Sequence, residues 1–202
     1  GQNISSQKFL VTRSGLEVES RVYFPPDFDS NGKYPLILDI HGGPNGVFMD
    51  TFDPLHHLLV CAGYIVLAVN PRGSATYGED FAMAVLGDWG GEDYYDLMAA
   101  LDDILKKPYV DVSMLGVHGY SYGGYMASWI VGHTERFKAA AVGAPCTDLL
   151  SMVGTSDIGV SWGEKQWGGR RELVMEDMLV RSPISYAANV QTPVLLLHGE
   201  ED

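Results

Sequence analysis

Basic residues are scarce: 13 lysines and arginines stand against 26 aspartates and glutamates, for a formal charge of −13. So acidic a chain repels phosphate backbones and offers no basic stripe, so neither nucleic acid nor anionic lipid is an expected partner. Long apolar runs are missing too. No stretch approaches the roughly 20 residues needed to span a bilayer, and the opening Gly1-Gln2-Asn3-Ile4-Ser5 has no charged-then-apolar signal pattern. A soluble protein without a membrane partner is expected. Cysteine is nearly absent. Cys61 and Cys146 lie among apolar or small residues, with no CxxC pair and no histidine at metal-ligand spacing. Two buried thiols are expected rather than a disulfide, and with them a cytoplasmic location. Internal repeats and low-complexity tracts are also missing.

What is present suits one domain: 202 residues with 46% hydrophobic content can build a sizeable core, but hardly two. Lys8 to Pro25 alternates in places and breaks at Ser14-Gly15, which predicts a hairpin of two edge strands. Apolar runs at Leu36 to Ile40, Ile65 to Val69, Met114 to Val117, Ala139 to Val142 and Val194 to Leu197 predict strands buried on both faces of a parallel sheet. Between them, Glu92 to Lys107 reads as a helix with Leu97, Leu101, Ile104 and Leu105 on one face. Its first-turn acids Glu92, Asp93 and Asp96 match the helix dipole. The expected class is α/β, a mostly parallel twisted sheet with helices on both faces and ligands at the carboxyl ends of the strands. Residues 146–190, rich in Gly, Trp and Met, break the rhythm and read as a helical insertion within the single domain 1–202.

The sharpest chemical signal is Gly119-Tyr120-Ser121-Tyr122-Gly123-Gly124, which follows a predicted strand and opens a predicted helix. Strand, tight turn and helix are the context a G-x-S-x-G nucleophile elbow requires. The serine is held in a strained turn, and larger neighbours at Gly119 and Gly123 would collide with strand and helix. The Tyr122 amide, at the helix start, is free to donate to a developing oxyanion. His41-Gly42-Gly43-Pro44 follows an earlier strand, where this architecture supplies its second oxyanion amide; Gly43 is the candidate donor. Those glycines would equally permit a tight turn and nothing more. His41 precedes the nucleophile and reads as a loop anchor, because the chain order of this catalytic design is serine, acid, histidine. The acid belongs after a late strand, within Glu200, Glu201 and Asp202, and spacing alone leaves that choice open. No histidine follows Asp202, while His56, His57, His118, His133 and His198 fall in contexts unsuited to a general base.

Five pieces in order resemble the catalytic domain of the prolyl oligopeptidase family of serine peptidases, in its acylaminoacyl-peptidase and dipeptidyl-peptidase-like branches. They are His41 to Pro44, Asn70-Pro71-Arg72-Gly73-Ser74 with Tyr77-Gly78, Asp88-Trp89-Gly90-Gly91-Glu92-Asp93-Tyr94-Tyr95-Asp96, Gly119 to Met126, and His198 to Asp202. The resemblance implies an α/β-hydrolase fold, Ser121 as nucleophile, Tyr122 and Gly43 as oxyanion donors, and Asp202 as triad acid. It also implies a histidine beyond Asp202, so the chain is expected to be C-terminally incomplete and inactive by itself. Dipeptidyl peptidases proper carry tyrosine where this chain has His41, a departure that favours the acylaminoacyl-peptidase-like branch. An amino-terminal β-propeller is implied for the full-length protein, and self-association is left open. The implied substrate is a short peptide or N-blocked aminoacyl compound, or an ester if the protein is a carboxylesterase of the same fold. A non-catalytic interaction domain is the remaining alternative. Trp162 is the candidate pocket residue and Trp167 a lesser one. Arg72 is expected to orient a loop near the site, and the chemistry calls for neither cofactor nor metal.

Overall fold

A computed structural model describes residues 4–168 and 174–202. The alternating segment folds as the expected hairpin, β1 (Ser5–Arg13) and β2 (Leu16–Phe24), paired antiparallel. Ser14 at φ 50° and Gly15 at φ 79° make the turn. Two consecutive left-handed residues match the twist of the flanking strands. The apolar runs become β3 (Tyr34–Ile40), β4 (Ile65–Asn70), β5 (Val110–Tyr120), β6 (Ala139–Gly143) and β7 (Val194–Leu197). All seven form one sheet in the order β1-β2-β4-β3-β5-β6-β7, parallel from β4 to β7 and antiparallel at β1-β2 and β2-β4. Only β1 is an edge on that side. β2 lies inside the sheet, where Val18 and Val22 are buried, so the expectation of two edge strands is corrected by the pairing of β2 with β4.

All six residues of β4 are buried, as a strand covered on both faces should be. Helices α1 (Pro54–Cys61), α2 (Glu79–Met83), α3 (Glu92–Ile104) and α4 (Tyr122–His133) connect the strands. Ten of the twelve residues of α4 are buried, so this helix packs on nearly every side. From β6 to β7 the chain runs through α5 (Leu149–Thr155), a π-helix (Gly159–Gly163), α6 (Glu164–Gln166), α7 (Met175–Val180) and a 3-10 helix (Pro183–Asn189).

Three expectations are corrected. The acids of α3 do not serve mainly as caps: Asp88 receives the Glu92 amide, while Asp93 and Asp96 are wholly buried and bind side chains of other elements. β7 is a strand but not a buried one, with Val194 to Leu197 between 43% and 60% exposed. Cys61 is exposed rather than buried and is not joined to Cys146, whose thiol is pushed up to about 12 by burial.

Candidate active site

The strand β5 ends at Tyr120, and Ser121 turns the chain into α4 with φ 60° and ψ −120°. A left-handed φ on a residue with a side chain costs about 1–3 kcal/mol and persists only where its surroundings enforce it. Those surroundings are glycines. A Cβ on Gly119 would overlap the Gly123 carbonyl, one on Gly123 would overlap the Ile40 carbonyl, and one on Gly124 would overlap the Gly143 carbonyl. The steric need inferred for Gly119 and Gly123 is therefore present, and Gly124 shares it. Backbone hydrogen bonds lock the bend: the Ser121 amide donates to Gly143 at 3.0 Å, and the Ser121 carbonyl accepts from Tyr125 at 2.9 Å. Ser121 is exposed although the six residues after it are buried. The Tyr122 amide belongs to the first turn of α4, where N–H groups have no intrahelical acceptor and the positive end of the dipole is felt.

The loop after β3 lies against this bend. A Cβ on Gly42 would stand 3.4 Å from the Tyr120 carbonyl oxygen and 3.6 Å from the Ser121 Cβ, so the two loops are separated by about the width of one methyl group. His41 is buried and bonded at both ring nitrogens, Nδ1 to the Gly42 carbonyl at 2.8 Å and Nε2 to the Ser74 hydroxyl at 2.8 Å. A carbonyl can only accept, so Nδ1 carries the proton. Burial holds the imidazole below its ordinary range; the Ser74 hydroxyl beside Nε2 also reaches the Pro71 carbonyl at 2.7 Å and has one proton for the two. The Gly42 carbonyl also accepts from the Gly46 amide at 3.1 Å. In a trans peptide the C=O and the following N–H point in opposite directions. Pinning the Gly42 carbonyl toward His41 therefore turns the Gly43 amide the other way, as a donor to an external oxygen must be. Gly43 itself has φ 128°, and a Cβ there would collide with the amides of Asn45 and Gly46.

The partners of this loop had no role readable from their motifs, and the structure supplies one. Asn45 donates to the Gly73 carbonyl at 2.7 Å, the Ala75 amide to Gly46 at 3.1 Å and the Phe48 amide to Asn70 at 2.8 Å. The Asn70-to-Ser74 segment is thus a brace for the His41-Gly42-Gly43 loop. Arg72 anchors that brace as expected, through a fork on Asp96 with both bonds at 2.8 Å and its backbone amide on the same carboxylate at 3.0 Å. A motif read in isolation could not have shown this, because every partner lies more than twenty residues away in the chain.

Asp202 follows β7, at the same end of the parallel strands as Ser121 and two strands across the sheet. Its carboxylate is exposed and faces His198 Nε2 at 3.7 Å. The other histidines are engaged elsewhere: His56 and His118 both bond Asp39, at 2.7 and 2.6 Å, His133 bonds the Trp129 carbonyl, and His57 packs on Phe52. Trp162 is partly buried with its ring 5.4 Å from Trp89, which in turn lies edge-on to Tyr122 at 5.0 Å. It thus reaches the serine bend through one intermediate ring, and Trp167 is buried packing 5.9 Å from that same ring. Trp89, fully buried at the centre of this group, was not singled out from the sequence, although a tryptophan between Asp88 and two glycines was a visible signal. Among the described residues no cluster of His, Cys, Asp or Glu could hold a metal ion, and no helix is long and apolar enough to cross a membrane.

Comparison with known proteins agrees with the geometry. An uncharacterized peptidase of Bacillus subtilis, YuxL, is 44% identical over 95% of this chain and 29% of its own length. Dipeptidyl-peptidase 5 of Porphyromonas gingivalis is 34% identical over 97% of this chain and 30% of its own. A solved acylaminoacyl peptidase in complex with Z-Gly-Gly-Phe-chloromethyl ketone superposes with a TM-score of 0.93 at 35% identity, covering 98% of this chain and 32% of that one. The chain therefore spans about 30% of the length of these relatives, and its architecture is that of the α/β-hydrolase acylaminoacyl peptidases. With residues 51–202 matching the model of the prolyl oligopeptidase family, the chain belongs to that family.

Proposed function

We propose that the protein containing this chain is a serine peptidase that cleaves short peptides or N-blocked aminoacyl substrates through an acyl-enzyme at Ser121. The observation that carries the proposal is the exposed Ser121 at φ 60°, between the Tyr122 amide and the loop that turns out the Gly43 amide. In the proposed reaction Ser121 Oγ attacks the substrate carbonyl and loses its proton to a histidine oriented by Asp202. The tetrahedral oxyanion takes hydrogen bonds from Tyr122 and Gly43, the same histidine protonates the leaving amine, and water then releases the acyl group. Trp162, with Trp89 behind it, is proposed to form part of the wall receiving the side chain before the scissile bond. A likeness to a solved acylaminoacyl peptidase carrying a peptidyl chloromethyl ketone supports a peptide as substrate. His41 in place of a tyrosine supports the acylaminoacyl-peptidase-like branch.

The test uses the full-length protein. A fluorophosphonate probe should label it and should not label Ser121→Ala; absence of labelling in both would leave the interaction-domain reading. A blocked aminoacyl amide assayed beside a simple ester then separates peptidase from esterase. Hydrolysis of the ester alone would remove the peptidase proposal.

A further inference from the structure

Two wholly buried carboxylates, Asp93 and Asp96, stand three residues apart on α3. That spacing puts them on one face of the helix. Each grips a different part of the site just described. Asp93 Oδ2 accepts from the Tyr122 phenol at 2.5 Å, and Tyr122 is the residue whose amide opens α4. Asp96 takes the fork of Arg72, and the loop led by Arg72 carries Ser74, whose hydroxyl meets His41 Nε2 at 2.8 Å. His41 in turn holds the Gly42 carbonyl that fixes the Gly43 amide. The two candidate oxyanion donors come from separate loops, after β5 and after β3, and both chains of support end on one turn of α3.

Burying these carboxylates is costly, because a desolvated charge must be repaid by partners. Asp96 is neutralised by Arg72. Asp93 bonds the phenol of Tyr122, whose ring packs with those of Trp89 and Tyr125, and burial pushes its carboxyl up to about 7. A neutral side chain would fill that space at lower cost if packing were all that the position required. The Tyr122 ring is held at three places: its hydroxyl by Asp93, its edge by Trp89 at 5.0 Å, and its face near Tyr125 at 6.0 Å. A ring so fixed leaves its own Cα, and the amide on it, little freedom.

We propose that α3 sets the spacing of the oxyanion hole, with Asp93 and Asp96 as positioning residues that act through Tyr122 and through Arg72-Ser74-His41. The proposal rests on acyl transfer at Ser121, and it goes further by assigning residues that touch neither substrate nor nucleophile.

The decisive experiment compares Asp93→Ala, Asp93→Asn and Tyr122→Phe in the full-length protein. We expect Asp93→Ala and Tyr122→Phe each to lower kcat roughly 10- to 100-fold with KM within about twofold, the mark of a contact felt only in the transition state. Asp93→Asn keeps an acceptor for the phenol and should restore most of the loss. The affinity of a peptidyl trifluoromethyl ketone, whose adduct places an oxyanion in the hole, should fall in proportion to kcat/KM across the series. Variants with wild-type kcat and inhibitor affinity, or losses confined to KM or to melting temperature, would overturn the proposal. Should Asp93→Ala fail to fold, Tyr122→Phe and Asp93→Asn still decide it. A wild-type protein that neither hydrolyses substrate nor takes a fluorophosphonate would instead sink the acyl-transfer reading beneath it.

Discussion

Replacing His41 with alanine removes the donor that pins the Gly42 carbonyl while leaving the Gly46 amide in place at 3.1 Å. The peptide between Gly42 and Gly43 is then held from one side only, and the Gly43 amide can swing with it. Loss of one oxyanion donor costs about 10²–10³ in kcat, or roughly 2.7–4 kcal/mol. Because Gly46 retains part of the hold and the Tyr122 donor is untouched, the expected loss is about 10²-fold in kcat, with KM nearly constant. Ser74 also loses its contact with Nε2 but keeps the Pro71 carbonyl at 2.7 Å, so the stability lost there should be about 1 kcal/mol. The assay is steady-state hydrolysis of a blocked aminoacyl amide by the full-length protein, beside a urea titration. His41→Asn offers an amide N–H near the position of Nδ1 and should recover part of kcat. A kcat within threefold of wild type in folded His41→Ala, or a loss carried by KM, would refute the claim that this side chain orients the oxyanion peptide.

Gly123→Ala drives a methyl into the Ile40 carbonyl, where no flexible side chain can give way; about 3 kcal/mol of stability should be lost, read by urea unfolding. Asp93 supplies a pH dependence of fixed sign. Its folded value of about 7 lies above the ordinary 3.8, so the folded state holds the proton more tightly and the stability tied to that proton falls as pH rises from 4 to 7. At about 1.4 kcal/mol per unit this is on the order of 4 kcal/mol, and the stability of Asp93→Asn relative to wild type should rise by an amount of that order over the same window. A gap that stays constant from pH 4 to 7 would contradict it.

Strands β3 to β6 were legible because a strand covered on both faces has no polar face to interrupt its apolar run. The same run at Val194 to Leu197 identified β7, yet could not show its exposure, which depends on what packs over it rather than on its own residues. The elbow was readable for a related reason: Gly119 and Gly123 answer to neighbours only a few residues off, so the constraint is written locally. The second and third motifs were not. Arg72 meets Asp96 across 24 residues, His41 meets Ser74 across 33, and Tyr122 meets Asp93 across 29. Acids in a first helical turn usually serve the dipole, and nothing in the spacing of Glu92, Asp93 and Asp96 showed that the last two point inward. Trp162 was read as a pocket residue by its likeness to aromatics of the family, while Trp89, which connects it to Tyr122, stood within the third motif without a role of its own, because its partners Trp162 and Tyr122 lie more than thirty residues away.

An oxyanion hole built from backbone amides has no side chain of its own, so its accuracy depends entirely on what restrains the two peptide planes. In a chain of formal charge −13 the general field opposes a developing negative charge, and only dipoles aimed at close range can favour it. Each candidate amide here meets that demand in its own way. Tyr122 is restrained through its ring by a carboxyl that burial keeps partly protonated near neutral pH, which limits the negative charge behind the hole. Gly43 is restrained through an imidazole that burial holds below its ordinary range, with Nδ1 donating to the Gly42 carbonyl and Nε2 against the Ser74 hydroxyl. Burial thus acts alike on both supports by disfavouring charge: it raises the Asp93 carboxyl and lowers the His41 imidazole, so neither places a full charge behind the hole near neutral pH.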